Sequence, residues 1–321
     1  MVKKTYSDHM KNLSKDDVFH GLLGFGLFPD KLPPFLSSAS FLDFCLTKLD
    51  KFFDKYEFGF IHYENTRNIN IPRVLSIPNP IAYRNQCFQI SENWDNLITH
   101  FDKNTQNDKH KISRIHIRKI QEENKIFYFG YDEEERQESS YDTIFEMSHK
   151  NYKLDDYPEP DLLIGSYLIV YADISNCFPS IYTHAIPWAL VGKEQAKVSK
   201  SDNKQWYNKL DLSTRNLKNG ETHGILIGPH SSNIISEIVL TRVDAALSKE
   251  EYKYIRSIDD YRCFVRSHEE GEKFLLSLSV ELKKFGLILN NKKTEILKLP
   301  MAAREHWIRK INSFMPVREK S

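Results

Sequence analysis

Two apolar segments, each ending in acidic residues, constrain the fold of this chain most. Residues 167–172 (YLIVYA) have the composition of a buried strand and lead directly into Asp173. Residues 252–265 are typical of two strands around a tight acidic turn at Asp259 and Asp260. Carboxylates at strand ends on one sheet can converge on two Mg²⁺ ions about 4 Å apart. Taken alone, the same residues also fit an ordinary turn and an acidic surface hairpin.

The elements predicted around these acidic residues indicate an α+β fold. Apolar residues at helical spacing predict helices over residues 234–247 and 274–285, the second closed by Gly286 as a C-cap. Short strands are predicted at residues 287–289 and 296–299. Strand, helices, hairpin, helix and strand in this order favour an antiparallel sheet backed by helices.

The first half of the chain is more varied. Residues 1–60 are predicted to be helical with loops, residues 73–80 (RVLSIPNP) form a short strand stopped by prolines, and residues 126–131 (IFYFGY) form another strand. Between them lies a basic stretch with interleaved histidines, and its cations are suited to nucleic-acid phosphates or to a solvated surface face. These candidate nucleic-acid-binding residues are Lys109, Lys111, Arg114, Arg118 and Lys119.

Composition excludes several classes of protein. A hydrophobic fraction of 40% and an aromatic fraction of 12% in 321 residues exclude a wholly disordered chain, and a net charge of +1 excludes a uniformly basic nucleic-acid binder. Neither a long apolar run nor a signal-like N-terminus is found, so we expect no membrane association. Four well-separated cysteines favour a reducing, cytoplasmic location.

Four motifs in the second half of the chain resemble the palm motifs of reverse transcriptases, in order and in spacing. The paired-Asp motif is the third of them, and the second is a Gly-rich turn leading into a helix. They are residues 173–181 (DISNCFPSI), 224–233 (GILIGPHSSN), 257–260 (SIDD) and 285–294 (FGLILNNKKT).

Within reverse transcriptases, the chain is most similar to the bacterial abortive-infection and defence-associated group, also called unknown-group reverse transcriptases. Distinctive segments are residues 180–188 (SIYTHAIPW), 221–224 (ETHG), 21–29 (GLLGFGLFP) and 77–80 (IPNP). The resemblance implies a fingers and palm architecture with little or no thumb in this chain. We expect an N-terminal helical extension at 1–60, fingers at 61–165, palm at 166–300 and the start of a C-terminal or thumb-like segment at 301–321.

The resemblance also implies roles for individual residues. Asp173 and Asp259 would hold two Mg²⁺ ions, with Mn²⁺ as an alternative, and the Ile174 carbonyl would complete a metal site. Asp260 would be an auxiliary ligand or would tune the site electrostatically. Phe178 would be the steric gate that excludes a 2′-OH, or else a core residue. One of the adjacent lysines would protonate the leaving pyrophosphate, and Lys293 fits the motif better than Lys292.

Substrate contacts follow from the same likeness. Arg73 lies in a segment similar to one in group II intron enzymes that handles the incoming triphosphate, and Arg84 is a second candidate. Ile227 and Gly228 would lie near the nascent base pair, but Ile227 replaces the Gln of most templated enzymes. Ser257 replaces the usual Tyr or Phe of the third motif. The loss of the Gln puts ordinary template copying in doubt, and the smaller Ser257 should pack the primer terminus less tightly.

The sequence therefore predicts an RNA-directed DNA polymerase of anti-phage defence. It would add dNTPs to a nucleic-acid or protein-hydroxyl primer, with a non-coding RNA or without a template. Its partners would be dNTPs, RNA, the DNA product and a second copy or partner subunit. The alternative is a catalytically silent palm that acts as an RNA-binding or assembly scaffold; an RNA polymerase is disfavoured by Phe178.

Overall fold

A computed structural model of the 321-residue chain describes residues 6–28, 36–48, 57–65, 72–105, 116–117, 145–146 and 159–299. The basic candidates between Lys109 and Lys119, the strand predicted at 126–131 and the segment 301–321 lie outside these ranges. Among the described residues, every helix is too short or too polar to cross a membrane.

The N-terminal half combines five helices with a hairpin. Its elements are α1 (Tyr6–Met10), α2 (Lys15–Phe25), α3 (Ala39–Lys48), β1 (Phe60–Asn65), β2 (Arg73–Pro78), α4 (Pro80–Glu92), α5 (Trp94–Thr105) and the short pair β3 (His116–Ile117) and β4 (Phe145–Glu146). Helices α1 to α3 lie in the region predicted to be helical with loops, and β2 confirms the strand predicted at residues 73–80. Strand β2 ends at Pro78, and Asn79 then caps α4, its side chain accepting hydrogen bonds from the backbone N–H groups of Ile81 and Ala82.

The second half is built on a four-stranded sheet. Its elements are α6 (Glu159–Leu163), β5 (Leu168–Asp173), α7 (Cys177–Ser180), α8 (Ala185–Val191), α9 (Lys193–Val198), α10 (Trp206–Asn216), α11 (His230–Leu247), β6 (Tyr254–Ser257), β7 (Asp260–Val265), α12 (His268–Lys283) and β8 (Glu295–Lys298). The strand order is β6-β7-β5-β8, and each pairing is antiparallel. The predicted α+β class is confirmed.

Helix α11 packs against one face of this sheet. Its Ile, Val and Leu side chains are fully buried, in a core shared with strands β5, β6 and β7 and with helices α4 and α5. It also buries two carboxylates, Glu237 and Asp244, which face strand β6. Buried carboxylates need cationic partners, and α11 therefore carries polar contacts as well as core packing.

Two predicted boundaries are wrong. Residues 287–289 do not form a strand: α12 ends at Lys283 with Lys284 as its C-cap, not Gly286, and in the following turn Gly286 has a φ of +77° and the Leu287 N–H bonds back to the Leu282 carbonyl. Beyond that point the chain runs beside the end of β5, where Leu289 bridges Ile174. The acidic turn is also displaced by one residue: Ile258 and Asp259 form the turn, and Asp260 is already part of β7.

Candidate active site

Two of the three predicted carboxylates are direct neighbours across the sheet. Asp173 is the last residue of β5 and Asp260 the first of β7, and the two face each other in the antiparallel register. Like charges opposite each other in a sheet are unfavourable, so this pairing indicates a site shaped for something other than stability.

The third carboxylate is placed by a strained turn. Residues Ser257 and Asp260 pair across a hairpin whose two-residue loop is Ile258 and Asp259. Ile258 has a φ of +60°, which is a genuine outlier for a β-branched residue and costs on the order of 1–3 kcal/mol. The backbone carbonyl of Asp259 accepts a 3.2 Å hydrogen bond from the Ile174 N–H. This contact ties the turn to the residue that follows Asp173.

The fourth motif contributes two side chains to Asp173. Asn290 Nδ2 donates to Asp173 Oδ1 at 3.0 Å. The Lys293 ammonium Nζ lies 2.9 Å from Asp173 Oδ2 and is itself 64% exposed. Lys293 was predicted as a site residue and Lys292 as its rival. The structure brings Lys293 to the carboxylates, while the backbone N–H of Lys292 bonds to the Asn290 side chain.

These contacts set the protonation of the carboxylates in opposite directions. Burial acts to raise the pKa of Asp173, but the hydrogen bonds from Lys293 and Asn290 outweigh it and the pKa is lowered. Burial and then the nearby Asp173 raise the pKa of Asp259. Partial desolvation, the hydrogen bond to Asp173 and repulsion from Asp259 raise the pKa of Asp260 to about 6. The hydrogen bond to Asp173 raises the pKa of Lys293, which keeps it an ammonium.

The donor set fits a hard divalent cation. Three carboxylates and the adjacent Ile174 backbone supply oxygen ligands, which Mg²⁺ prefers. The raised pKa values of Asp259 and Asp260 reflect burial first and then neighbouring negative charge, which a bound cation would relieve. Within the described ranges, no three His, Cys, Asp or Glu side chains already stand in a ligand cluster. The Lys293 ammonium occupies one face of Asp173 instead.

Backbone hydrogen bonds join the second motif to Phe178 and to strand β2. Phe178 is half-buried against the core, and its carbonyl accepts a hydrogen bond from the Ile225 N–H at 2.9 Å. The Ile227 carbonyl accepts a 2.8 Å bond from the Ser76 N–H of β2, and Gly228 follows with a φ of +136°. The Gly-rich turn is therefore fastened to the hairpin that carries Arg73.

The two predicted arginines differ in position. Arg73 is the first residue of β2. Its positive charge acts to lower the pKa of Asp259, so Arg73 lies within electrostatic range of the carboxylates. Arg84 lies on α4 with only 6% of its surface exposed, beside the thiol of Cys45. A substrate-binding role for either arginine stays a prediction.

Sequence reasoning missed Asn290 as a site residue, and it missed the buried Glu237, Asp244 and Arg256. Asn290 stands within the fourth motif, so its position was a signal. Arg256 precedes the third motif, and the two acids lie on the predicted apolar helix, where charged residues are unusual. Charges within an apolar helical pattern are the signal that could have identified them.

The chain was compared with known proteins. The family model for reverse transcriptase (RNA-dependent DNA polymerase) matches residues 141–308. A search among curated protein sequences gives no match.

Solved structures of telomerases are similar to the chain. Apo telomerase from Candida tropicalis, truncated from its C-terminal domain, has 12% identity and a TM-score of 0.43; the match covers 77% of this chain and 51% of that one. Telomerase from Candida albicans in complex with a TWJ fragment of telomeric RNA has 10% identity and a TM-score of 0.43, covering 78% and 43%. The chain thus spans about half the length of these telomerases.

The family match includes Asp173, Asp259, Asp260, Asn290 and Lys293, and it extends over more than half of the chain. This protein therefore belongs to the reverse transcriptase (RNA-dependent DNA polymerase) family.

Proposed function

We propose that this protein is a DNA polymerase of anti-phage defence that adds dNTPs to a primer hydroxyl with the aid of two Mg²⁺ ions. One observation carries the proposal: Asp173 and Asp260 are register partners, with Asp259 in the adjoining turn. This geometry brings carboxylates from two strands together at one end of the sheet. The electrostatic repulsion between them is unfavourable, and a purely structural scaffold would gain nothing from it.

The residues of the site suit phosphoryl transfer. Bound divalent cations would supply charge stabilisation for the attacking and leaving oxygens. Asp173 and Asp259 would hold them, with Asp260 and the Ile174 carbonyl as further ligands. Lys293, kept protonated by Asp173, would donate a proton to the departing pyrophosphate. Phe178 would exclude a 2′-OH beneath the sugar, and Arg73 would contact the triphosphate.

The template requirement is where we expect departure from ordinary reverse transcriptases. In most of the reverse transcriptases that the chain resembles, the side chains at two positions pack near the nascent base pair and the primer. In this chain they are replaced by Ile227 and Ser257. We therefore propose synthesis of a biased DNA on a protein hydroxyl or a bound non-coding RNA, in an assembly with a second copy or a partner. The four cysteines are free thiols, which agrees with a reducing, cytoplasmic setting.

The test is nucleotide incorporation by the purified protein. Each labelled dNTP is supplied alone and with the others, in Mg²⁺, with and without co-purified RNA or an added primer-template. We expect labelled product from the wild type and none from Asp259→Ala with Asp260→Ala at an undiminished melting temperature. Protease digestion before electrophoresis then identifies a protein primer.

Three outcomes would count against parts of the proposal. A wild type that retains RNA but makes no product under any condition favours the scaffold instead. Activity in the double variant removes the metal assignment. Long copies of an arbitrary template, unshifted by protease and independent of bound RNA, contradict the departure from template copying.

A further inference from the structure

A buried arginine links the helix of the second motif to the turn of the third. Arg256 lies on β6 with 0% of its side chain exposed. Its Nη1 and Nη2 donate to the two carboxylate oxygens of Glu237 at 2.7 and 2.9 Å. Its Nε and Nη2 donate to Asp244 Oδ2 at 2.9 and 2.7 Å. Both acids lie on α11, so this guanidinium is fixed by two paired carboxylates.

The same guanidinium reaches the catalytic turn. Arg256 Nη1 also donates a 2.8 Å hydrogen bond to the backbone carbonyl of Ile258. Ile258 is the residue with a φ of +60°, and its carbonyl belongs to the peptide that leads into Asp259. A strained turn persists only where its surroundings determine it. The contact from Arg256 is therefore in a position to hold the turn in its strained form.

Further hydrogen bonds surround this guanidinium. Tyr254 Oη donates to the second oxygen of Asp244 at 2.9 Å, so both oxygens of that carboxylate are bonded. Thr241 bonds to the Glu237 carbonyl at 2.6 Å one turn along α11. Bidentate arginine pairs of this kind add geometric specificity as well as energy. This hydrogen-bonded network can fix the position of the turn relative to α11.

We propose that Arg256 is a positioning residue that sets the Ile258–Asp259 turn for metal binding, an inference that rests on the proposed function. It acts through the Ile258 carbonyl and touches neither nucleotide nor metal. Glu237 and Asp244 hold the guanidinium in place. These contacts hold α11, the helix after the Gly-rich turn, at a fixed position relative to the β6–β7 hairpin that would bind the metal.

The test measures Mn²⁺ binding by electron paramagnetic resonance, with a dNTP present, and single-nucleotide incorporation separately. Arg256→Lys keeps the charge, but one ammonium cannot reach both carboxylates and the carbonyl together. We expect the half-saturating Mn²⁺ concentration to rise about tenfold, the scale of one lost charge-assisted hydrogen bond. The KM for dNTP should change less, because Arg256 does not touch the nucleotide.

A matched pair of second substitutions separates positioning from mere support of the fold. Ile258→Gly and Ile258→Ala both remove the branched part of the side chain, but only Gly, which has no Cβ, adopts the positive φ without strain. In the Ile258→Gly variant, Arg256→Lys should raise the half-saturating Mn²⁺ concentration less than about threefold. In the Ile258→Ala variant, the roughly tenfold rise should remain. Melting curves restrict each measurement to temperatures at which the variant is folded.

Failure of this inference is distinct from failure of the proposed function. A wild type that neither binds Mn²⁺ nor incorporates nucleotides contradicts the proposed function. A functional wild type whose Arg256→Lys variant binds Mn²⁺ equally well overturns the inference, as does an equal effect in the Gly and Ala backgrounds. If Arg256→Lys does not fold, Glu237→Gln keeps the side-chain shape and carries the same expectation at about threefold; unchanged Mn²⁺ binding in that variant also overturns it.

Discussion

Asn290 holds Asp173 at two points. Its side-chain Nδ2 donates to the Asp173 carboxylate at 3.0 Å, and its backbone N–H donates to the Asp173 carbonyl at 2.8 Å. The two residues are 117 positions apart in the chain. One residue of the fourth motif thus fixes both the backbone and the carboxylate orientation of the first acidic residue.

This double contact predicts a role for Asn290 in incorporation. Asn290→Ala should lower kcat/KM for a single dNTP about tenfold, because the carboxylate loses a hydrogen bond to a charged group. Asn290→Asp should be worse, because it places a second carboxylate beside Asp173. Asn291→Ala is the matched control, since Asn291 is exposed next to it. Equal rates for Asn290→Ala and Asn291→Ala would refute the role.

The two adjacent lysines give a direct comparison. Lys293 contacts Asp173, whereas Lys292 is an exposed neighbour. Lys293→Gln should lower the rate of nucleotide incorporation about 100-fold, the lower range for loss of a general acid. Lys292→Gln should stay within about threefold of wild type. Pre-steady-state incorporation measures both, and a larger loss for Lys292→Gln than for Lys293→Gln reverses the assignment.

Phe178 should control sugar selectivity. Phe178→Ala opens space beneath the sugar, so ribonucleotide incorporation should rise relative to dNTP incorporation, by about tenfold or more. Phe285→Ala is the control, because Phe285 is likewise half-buried against the same core. The measurement is the ratio of kcat/KM for dNTP and rNTP. Wild-type selectivity in Phe178→Ala would make Phe178 a core residue only.

His100 predicts a loss of stability in acid that is separate from the active site. It is buried on α5, with Nε2 3.0 Å from the Ile238 carbonyl of α11. Burial, and then repulsion from Arg242 and Lys103, lower its pKa from 6.5 to about 4. The unfolded chain therefore binds a proton below pH 6.5 that the folded protein does not bind until about pH 4, and stability falls as the pH decreases through this window.

The expected size follows from those two pKa values. Between pH 7 and pH 5 the His100 contribution to the free energy of unfolding should fall by about 2 kcal/mol. Urea denaturation at the two pH values measures it, with His100→Gln as the non-titrating control. If His100→Gln loses as much stability as the wild type over this interval, His100 is not the group responsible.

The sequence alone identified the carboxylates of the candidate site and most of its local structure. Apolar runs ending at Asp173 and at Asp259 and Asp260 identified the strands, because a buried strand can be recognised from the composition of a few consecutive residues. Helices α11 and α12 were predicted for the same reason, although α12 ends at Lys283, before the predicted cap Gly286. Local patterns could not give the end of the hairpin turn, since a positive φ at Ile258 contradicts the preference of that residue.

Tertiary structure decided which side chains meet. The bond from Asn290 to Asp173 depends on the path of the segment after α12, which was predicted to be a strand and instead follows the end of β5. The burial of Arg256 between Glu237 and Asp244 depends on α11 crossing beneath β6. Long-range contacts of this kind depend on the packing of whole elements, and a sequence pattern reports only the period and the ends of each element. The sequence therefore named the carboxylates, and the fold selected the residues that orient them.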